Sequence, residues 1–298
     1  MKAFVMPSRP WLSRLLPLVL AAVLGGCAST ATPPASVSSD YRPQRGQIGK
    51  DVMWLPTSAT LVNTMLSAAK VTADDLVVDL GAGDGIIPIA AAQQFGARAL
   101  GIEYNAKLAA YAQQQAERAG VAARARIIQG DIFQEDFRDA TVVTMYLLPE
   151  LNQQLRPTLL AMKPGTRLVS HAFDMGDWEP DQVLGTERER AFLWVVPAQL
   201  AGAWQLKDAQ GHSLGTFELQ QRYQRVAGRI RLPINTHTPS PQDTWLLGAR
   251  VEGTTLRFQF IGHDAGVNQV SLVLTGNELA GELLVHGATQ PVRAIRMP

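Results

Sequence analysis

The stretch Val77 to Gly85, VVDLGAGDG, decides the fold. Val77, Val78 and Leu80 surround Asp79, glycines follow at 81, 83 and 85, and an apolar run begins at Ile86. Such a pattern predicts a strand, a tight turn and a helix N-terminus. Glycine has no Cβ, so the backbone can turn sharply there and a ligand can lie against it. The first amides of the following helix lack intrahelical partners and are expected to point at that ligand. A dinucleotide site spaces its glycines G-x-G-x-x-G and aims this helix end at a pyrophosphate. Here the spacing is G-x-G-x-G with Asp79 ahead of it. A carboxylate beside the turn repels phosphate and suits a cationic ligand. A glycine turn can also bind nothing, so the flanking sequence has to decide.

Downstream, Ile86 to Phe95 reads as a short helix with Pro88 in its first turn, where a missing N–H costs little. Ala99 to Glu103 is an apolar strand ending in an acid, and Glu103 lies 18 residues beyond Gly85. A βαβ unit puts its ribose-binding carboxylate at about that place. Ala106 to Ala119 has helical spacing with Gly120 as its stop. A strand over Arg126 to Ile128 leads into Gly130-Asp131-Ile132-Phe133. Ala140 to Leu147 reads as a buried strand with Tyr146 at its C-terminal end, where open α/β sheets bind ligands. Leu151, Leu155, Leu159 and Met162 then follow at helical spacing, and Pro157 among them predicts a kink or a second start.

Thr166 to Ser170 makes a fifth strand that runs into SHAFDMGDW. His171, Asp174 and Trp178 are candidates for the acceptor rim there, His171 also as a general base. A histidine at a strand end is more often a hydrogen-bonded structural residue. Asp181 to Val196 can supply two antiparallel strands that complete a seven-stranded sheet. Upstream, Leu61, Val62, Met65, Leu66 and Ala69 share one helical face, with Thr57 or Ser58 as N-cap.

In this order VVDLGAGDG, Glu103, GDIF and the run from ATVVTMYLLPELN to SHAFDMGDW resemble the class I S-adenosylmethionine (SAM) dependent methyltransferases. The resemblance implies an α/β fold with a seven-stranded Rossmann-like sheet, and S-adenosyl-L-methionine as cofactor. It implies a cofactor cradle of Asp79, Gly81, Ala82, Gly83, Asp84 and Gly85, with Glu103 on the ribose hydroxyls. Asp131 would meet the adenine amino group while Ile132 covers the ring. Trp54-Leu55-Pro56-Thr57 resembles a Pro-Thr segment that lies near the cofactor in a group of bacterial methyltransferases, which adds Thr57 to the site. The alternative is that Trp54 caps the core and Pro56 starts a helix. Tyr146 would flank the methyl-transfer path as the catalytic candidate, or else serve as a core or rim tyrosine.

The last run is similar to a poorly characterised bacterial group distantly related to the lysine methyltransferases of histone cores and of the ATP synthase c subunit. That favours an amine acceptor, a protein lysine or a small molecule. No Asn-Pro-Pro-Tyr type motif follows Tyr146, which argues against base methylation of nucleic acid. No His/Cys cluster has metal-ligand spacing, so no metal is expected.

The 298 residues are enough for two domains, and the 18% charged and 46% hydrophobic composition is that of a globular protein. Lys2, Arg9 and Arg14 precede an apolar run from Leu15 to Leu24 and then Leu24-Gly25-Gly26-Cys27. The run is too short to span a bilayer and reads as a secretory signal peptide. Its end resembles a bacterial lipobox, which implies lipidation at Cys27, the sole cysteine of the chain, and a lipid anchor in the cell envelope. Ala28 after that cysteine implies the outer membrane, facing the periplasm. Without the leader the formal charge of +1 becomes −2, no footprint for nucleic acid. Since SAM is made in the cytoplasm, an exported chain raises the alternative of an envelope binding or structural module with this fold and no catalysis.

The expected organisation is a leader over 1–26, a Ser/Thr/Pro/Ala-rich flexible tether over 27–47, the methyltransferase domain over 48–197 and a β-rich region over 198–298. In that last region WQL, SLGTFELQQRYQ, AGRIRL, TTLRFQFIG, NQVSLVLTG and ELAGELLV alternate with period two. Turn residues break the alternation every eight to twelve residues. This predicts an antiparallel meander or small barrel with Trp204, Phe217 and Leu219 facing inward. It could cover the active-site mouth, bind a partner or dimerise, with plain packing as the default.

Overall fold

Strand β1 (Leu76–Leu80) is the axis of the first sheet, buried from Val77 onward. In this computed structural model, which describes residues 41–233 and 242–298, it pairs in parallel with β2 (Arg98–Glu103) on one side and β4 (Val142–Met145) on the other. The leader, Cys27 and the tether up to residue 40 lie outside the described residues. Outward from β2 comes β3 (Ala125–Gln129). Outward from β4 come β5 (Arg167–His171), β7 (Glu189–Val195) and β6 (Gln182–Thr186), the last two antiparallel. The seven strands, in the order 3-2-1-4-5-7-6, form the Rossmann-like methyltransferase sheet that the resemblance implies. This order reverses direction beside β1, the place where open α/β sheets open a crevice at their C-terminal strand ends.

Helices cover both faces. Ser58 caps α1 (Ala59–Ala68) by accepting from the Leu61 N–H at 3.1 Å, and Leu61, Val62, Met65 and Leu66 are buried as their spacing requires. The α2 helix (Ile86–Phe95) leaves the glycine turn, and α3 (Ala106–Arg118) starts on Asn105, whose side chain accepts from two amides. Gly101 of β2 lets the glycine turn and α2 sit close, since a Cβ there would stand 2.7 Å from the Ala82 Cβ and 3.3 Å from Cγ of Pro88.

No second start occurs at Pro157: α4 (Pro149–Leu160) runs through it as one helix. Pro157 lies on its exposed face, so the lost N–H bond falls on the water side. The last turn tightens instead, with the Ala161 N–H 3.2 Å from the carbonyls of both Pro157 and Thr158.

The C-terminal strands close into a barrel. They are β8 (Gly202–Asp208), β9 (Ser213–Arg222), β10 (Arg225–Leu232), β11 (Gln242–Trp245), β12 (Leu247–Glu252), β13 (Thr255–Ile261), β14 (Val267–Thr275), β15 (Glu278–Val285) and β16 (Ala288–Arg296). Eight of them run β10-β12-β13-β14-β15-β16-β8-β9 and return to β10, with β11 added on the β10 edge. Closure removes the free edges that a meander of this length would leave. Leu256, Phe258 and Phe260 alternate inward along β13, and Trp204, Phe217 and Leu219 are buried among them.

Candidate active site

The C-terminal ends of β1, β2, β3 and β4 open into a cavity of about 370 Å³. Its floor is the glycine turn. Gly81 and Gly83 hold φ of +79° and +57°, conformations that a side chain resists. A Cβ on Gly83 would stand 2.4 Å from Nε1 of Trp54, so the indole lies on this glycine because it is bare.

Of the α2 amides expected to point at a ligand, that of Ile86 donates to Oδ1 of Asp84 at 3.3 Å, and Ile86 and Ile87 line the cavity. The amides of the turn itself are taken up within the protein. Gly81 and Ala82 donate to the Ile102 carbonyl at 2.9 and 3.0 Å, Gly85 donates to Ala82, and Gly83 donates to Oε2 of Glu103 at 2.9 Å. What the turn presents instead is carboxylate. Asp79 and Glu103 are only 3% and 8% exposed, and both line the cavity together with Asp84. Glu103 also accepts from the Asn105 N–H, so it ties the glycine turn to the start of α3. Each of its oxygens retains a second lone pair.

Burial pushes Asp79 up to about 7, against the hydrogen bond from Thr144, and the charges of Asp84 and Glu103 push the same way. Burial raises Asp84 and Glu103 as well. Three crowded carboxyls short of counter-charge fit a cationic ligand and exclude a phosphate-bearing one. The donor set and the bare glycines therefore fit SAM, with its ammonium and sulfonium groups.

Asp131 also lines the cavity, beside Ile132. Its carboxylate accepts from the Phe133 N–H at 3.0 Å and pairs with Lys50 Nζ at 3.0 Å, and both interactions hold it below the usual carboxylate range. Thr57 lines the wall, while its hydroxyl shares a 3.0 Å hydrogen bond with His171 Nδ1. Gly85 is the left-handed N-cap of α2 and lies outside the lining.

Tyr146 follows β4 directly and faces the cavity with Leu147, Leu148, Leu151 and Phe173. His171 is not in that lining. Its ring stacks behind Tyr146 with centroids 3.8 Å apart, and burial holds its imidazole below the usual value. It is placed to support Tyr146 and not to reach an acceptor. Asp174 caps the Gly176 N–H at 3.0 Å on the surface.

Trp178, expected at the rim, is fully buried and donates to Gln224 of the barrel junction at 3.0 Å. Phe173 is the residue of this run that reaches the cavity. Ala172 before it takes φ of +67°, which breaks the strand alternation, and the fully buried Asn152 amide holds the Phe173 and Asp174 carbonyls at 3.2 and 3.1 Å.

Comparison with known proteins agrees with this geometry. The family model described as the ANTKMT methyltransferase domain matches residues 79–182, from the carboxylate of β1 to the start of β6. A protein-lysine N-methyltransferase of Saccharolobus islandicus is 42% identical over 151 residues, which cover 49% of this chain and 94% of that protein. The adenine nucleotide translocase lysine N-methyltransferase of Mus musculus is 33% identical over 184 residues, covering 61% of this chain and 79% of the relative. Among solved structures, an RNA methyltransferase from Salinibacter ruber in complex with S-adenosyl-L-homocysteine is 46% identical, with a TM-score of 0.48 over 49% of this chain and 96% of that one. Identity of 42% with the Saccharolobus islandicus enzyme over 94% of its length, beside the family model on residues 79–182, settles kinship: the chain belongs to the family of the ANTKMT methyltransferase domain and is a SAM-dependent methyltransferase.

Proposed function

We propose that this enzyme methylates an amine and that the amine is a protein lysine. The observation that carries the proposal is its kinship with two enzymes named for lysine methylation, one of which it spans over 94% of its length. The cavity mouth suits such an acceptor. Trp54, Tyr146 and Phe173 line the cavity, and aromatic rings attract an alkylammonium and exclude water around a long apolar side chain.

Bound SAM would supply a methyl group to the lone pair of the acceptor nitrogen, the S–C bonding pair staying on sulfur as the neutral thioether leaves. The chain's own contribution is alignment. In this reading Asp79 and Asp84 hold the cationic end of the ligand over the floor formed by Gly81, Ala82 and Gly83, and Gly85 turns the backbone into α2. Glu103 accepts from the ribose hydroxyls with its free lone pairs, Asp131 accepts from the adenine amino group, and Ile132 covers the ring. Thr57 completes the wall and, through His171, supports Tyr146 beside the transfer path. The acceptor ammonium must lose a proton before attack, and with His171 behind Tyr146 that proton leaves to solvent through the mouth.

We also place the enzyme at the bacterial envelope, lipid-anchored at Cys27 in the outer membrane and facing the periplasm. The support is the charged, apolar and small-residue succession from Lys2 to Cys27. Kinship with methyltransferases favours an enzyme there over a module without catalysis. Cys27→Ser is expected to release the protein from membranes, and persistent membrane association would sink the anchor.

The acceptor is tested by incubating the full chain with methyl-labelled SAM and envelope or cytoplasmic extracts, followed by hydrolysis and amino-acid analysis. Label recovered as methyl-lysine supports the proposal. Label in nucleic acid, or no transfer with any fraction, overturns it.

A further inference from the structure

Segment 41–56 contributes no buried side chain, the first being Thr57. It nevertheless has a fixed shape. The Gly46 N–H donates to the Trp54 carbonyl and the Trp54 N–H to that of Gln47, both at 2.9 Å, and Ile48 bridges Met53. At the tip the Gly49 N–H meets the Val52 carbonyl, an oxygen that would stand 2.5 Å from a Cβ on residue 49. This hairpin forms one wall of the cavity.

A wall with no core of its own depends on its attachments. The Tyr41 ring meets Tyr111 of α3 edge-on at 5.8 Å, and Trp54 lies on Gly83. The charged attachment is at the tip. Lys50 Nζ stands 3.0 Å from Asp131 Oδ2 and 5.4 Å from the centroid of Tyr104, and these two partners follow the C-terminal ends of β3 and β2.

We infer that Lys50 is a positioning residue of the cofactor site, which fixes the Asp131 carboxylate at the cavity edge and latches the hairpin over the cavity, so that ligand exchange requires this ion pair to break. The gating half of the inference rests on the cavity being the SAM site. The ion pair is exposed, so salt screens it and the latch opens readily.

Full-length wild type, Lys50→Met and Lys50→Arg are compared by two measurements. In ligand-free protein, the Gly46, Gly49 and Trp54 amides are expected to exchange with solvent roughly three- to tenfold faster in Lys50→Met. Lys50→Arg restores the wild-type rates, and the amides of β1 and β4 keep theirs. In stopped-flow tryptophan fluorescence with S-adenosylhomocysteine, Lys50→Met is expected to raise both rates, association roughly twofold and dissociation roughly fivefold, the larger rise in dissociation reporting an Asp131 carboxylate no longer fixed. It also loses the salt dependence that wild type and Lys50→Arg retain. Unchanged hairpin exchange in Lys50→Met overturns the latch, and faster hairpin exchange with unchanged ligand kinetics overturns the gating. A wild type with a protected hairpin and no response to either SAM or S-adenosylhomocysteine overturns the cofactor reading and the gating with it, while the amide exchange still decides the latch.

Discussion

The hydroxyl of Thr144 donates to Oδ1 of Asp79 at 2.7 Å, between residues that are direct partners in the parallel pairing of β4 with β1. Both are buried, so this bond is what keeps the carboxylate at the head of the glycine turn within reach of ionisation. Thr144→Val keeps the shape and removes the donor. SAM affinity at pH 7 is then expected to fall by about 1–2 kcal/mol, with much of the loss recovered at pH 9. Calorimetric titration at the two pH values checks it, and equal affinity for wild type and variant at pH 7 would falsify the assignment.

The raised Asp79 carboxyl gives a signed pH dependence. In the folded protein it titrates at about 7, above its ordinary value of 3.8. Between those values the folded state holds a proton that the unfolded chain has released, so ligand-free stability falls as pH rises from about 4 to 7 and then levels. Asp84 and Glu103, also raised, add to the same slope. Asp79→Asn is expected to be more stable than wild type at pH 8 and to flatten that slope, as read from urea midpoints. A cationic ligand needs the ionised form, so SAM affinity should rise about tenfold per pH unit below 7 and level above it. Proton release on binding, seen by calorimetry in buffers of different ionisation enthalpy, is the companion observation.

Much of this site was legible because strand ends carry it. Asp79 and Glu103 each close an apolar run, and the turn glycines mark where a helix must start close to a strand. Lys50 was not legible, since nothing in a proline-flanked stretch says which strand end it will meet 81 residues later. Thr144 reads as one more buried strand residue until the register of β4 against β1 sets it beside Asp79. In SHAFDMGDW the left-handed Ala172 shifts the alternation, so Phe173 reaches the cavity while His171 and Trp178 turn away from it. Barrel closure depends on the pairing of β9 with β10 and of β8 with β16, and the latter joins residues more than eighty positions apart, beyond any local pattern.

Two glycines near the turn differ in what an added side chain would press against. At Gly101 a new Cβ would meet Ala82 of the glycine turn, Ile127 of β3 and Pro88 of α2 at 2.7, 3.1 and 3.3 Å. Gly101→Ala is expected to cost about 1–3 kcal/mol of stability by overpacking. At Gly83 the obstruction is the Trp54 indole alone, carried by the hairpin wall. Gly83→Ala meets both that indole and the strain of a side chain at φ +57°, so it should displace the Trp54 wall and weaken SAM binding. Unchanged SAM affinity in Gly83→Ala, by calorimetric titration, would show that the wall is not built on Gly83.

The barrel and the methyltransferase sheet meet at a buried polar hub. Gln224 accepts from the Trp178 indole at 3.0 Å and donates to the Glu179 carbonyl at 2.7 Å, while the Tyr223 ring stacks on Trp178 with centroids 5.7 Å apart. Arg222, Arg225 and Arg250 of the barrel pair with Asp177, Glu179 and Asp181 around it. Those outer pairs are exposed for the most part, so the buried amide is the specific part of the joint. Gln224→Leu leaves the Trp178 N–H and the Glu179 carbonyl without partners, at a cost of about 2–4 kcal/mol. If the hub couples the two units, wild type unfolds in one calorimetric transition and Gln224→Leu splits it in two. A single transition in both, shifted by less than about 1 °C, would mean that the units are joined elsewhere.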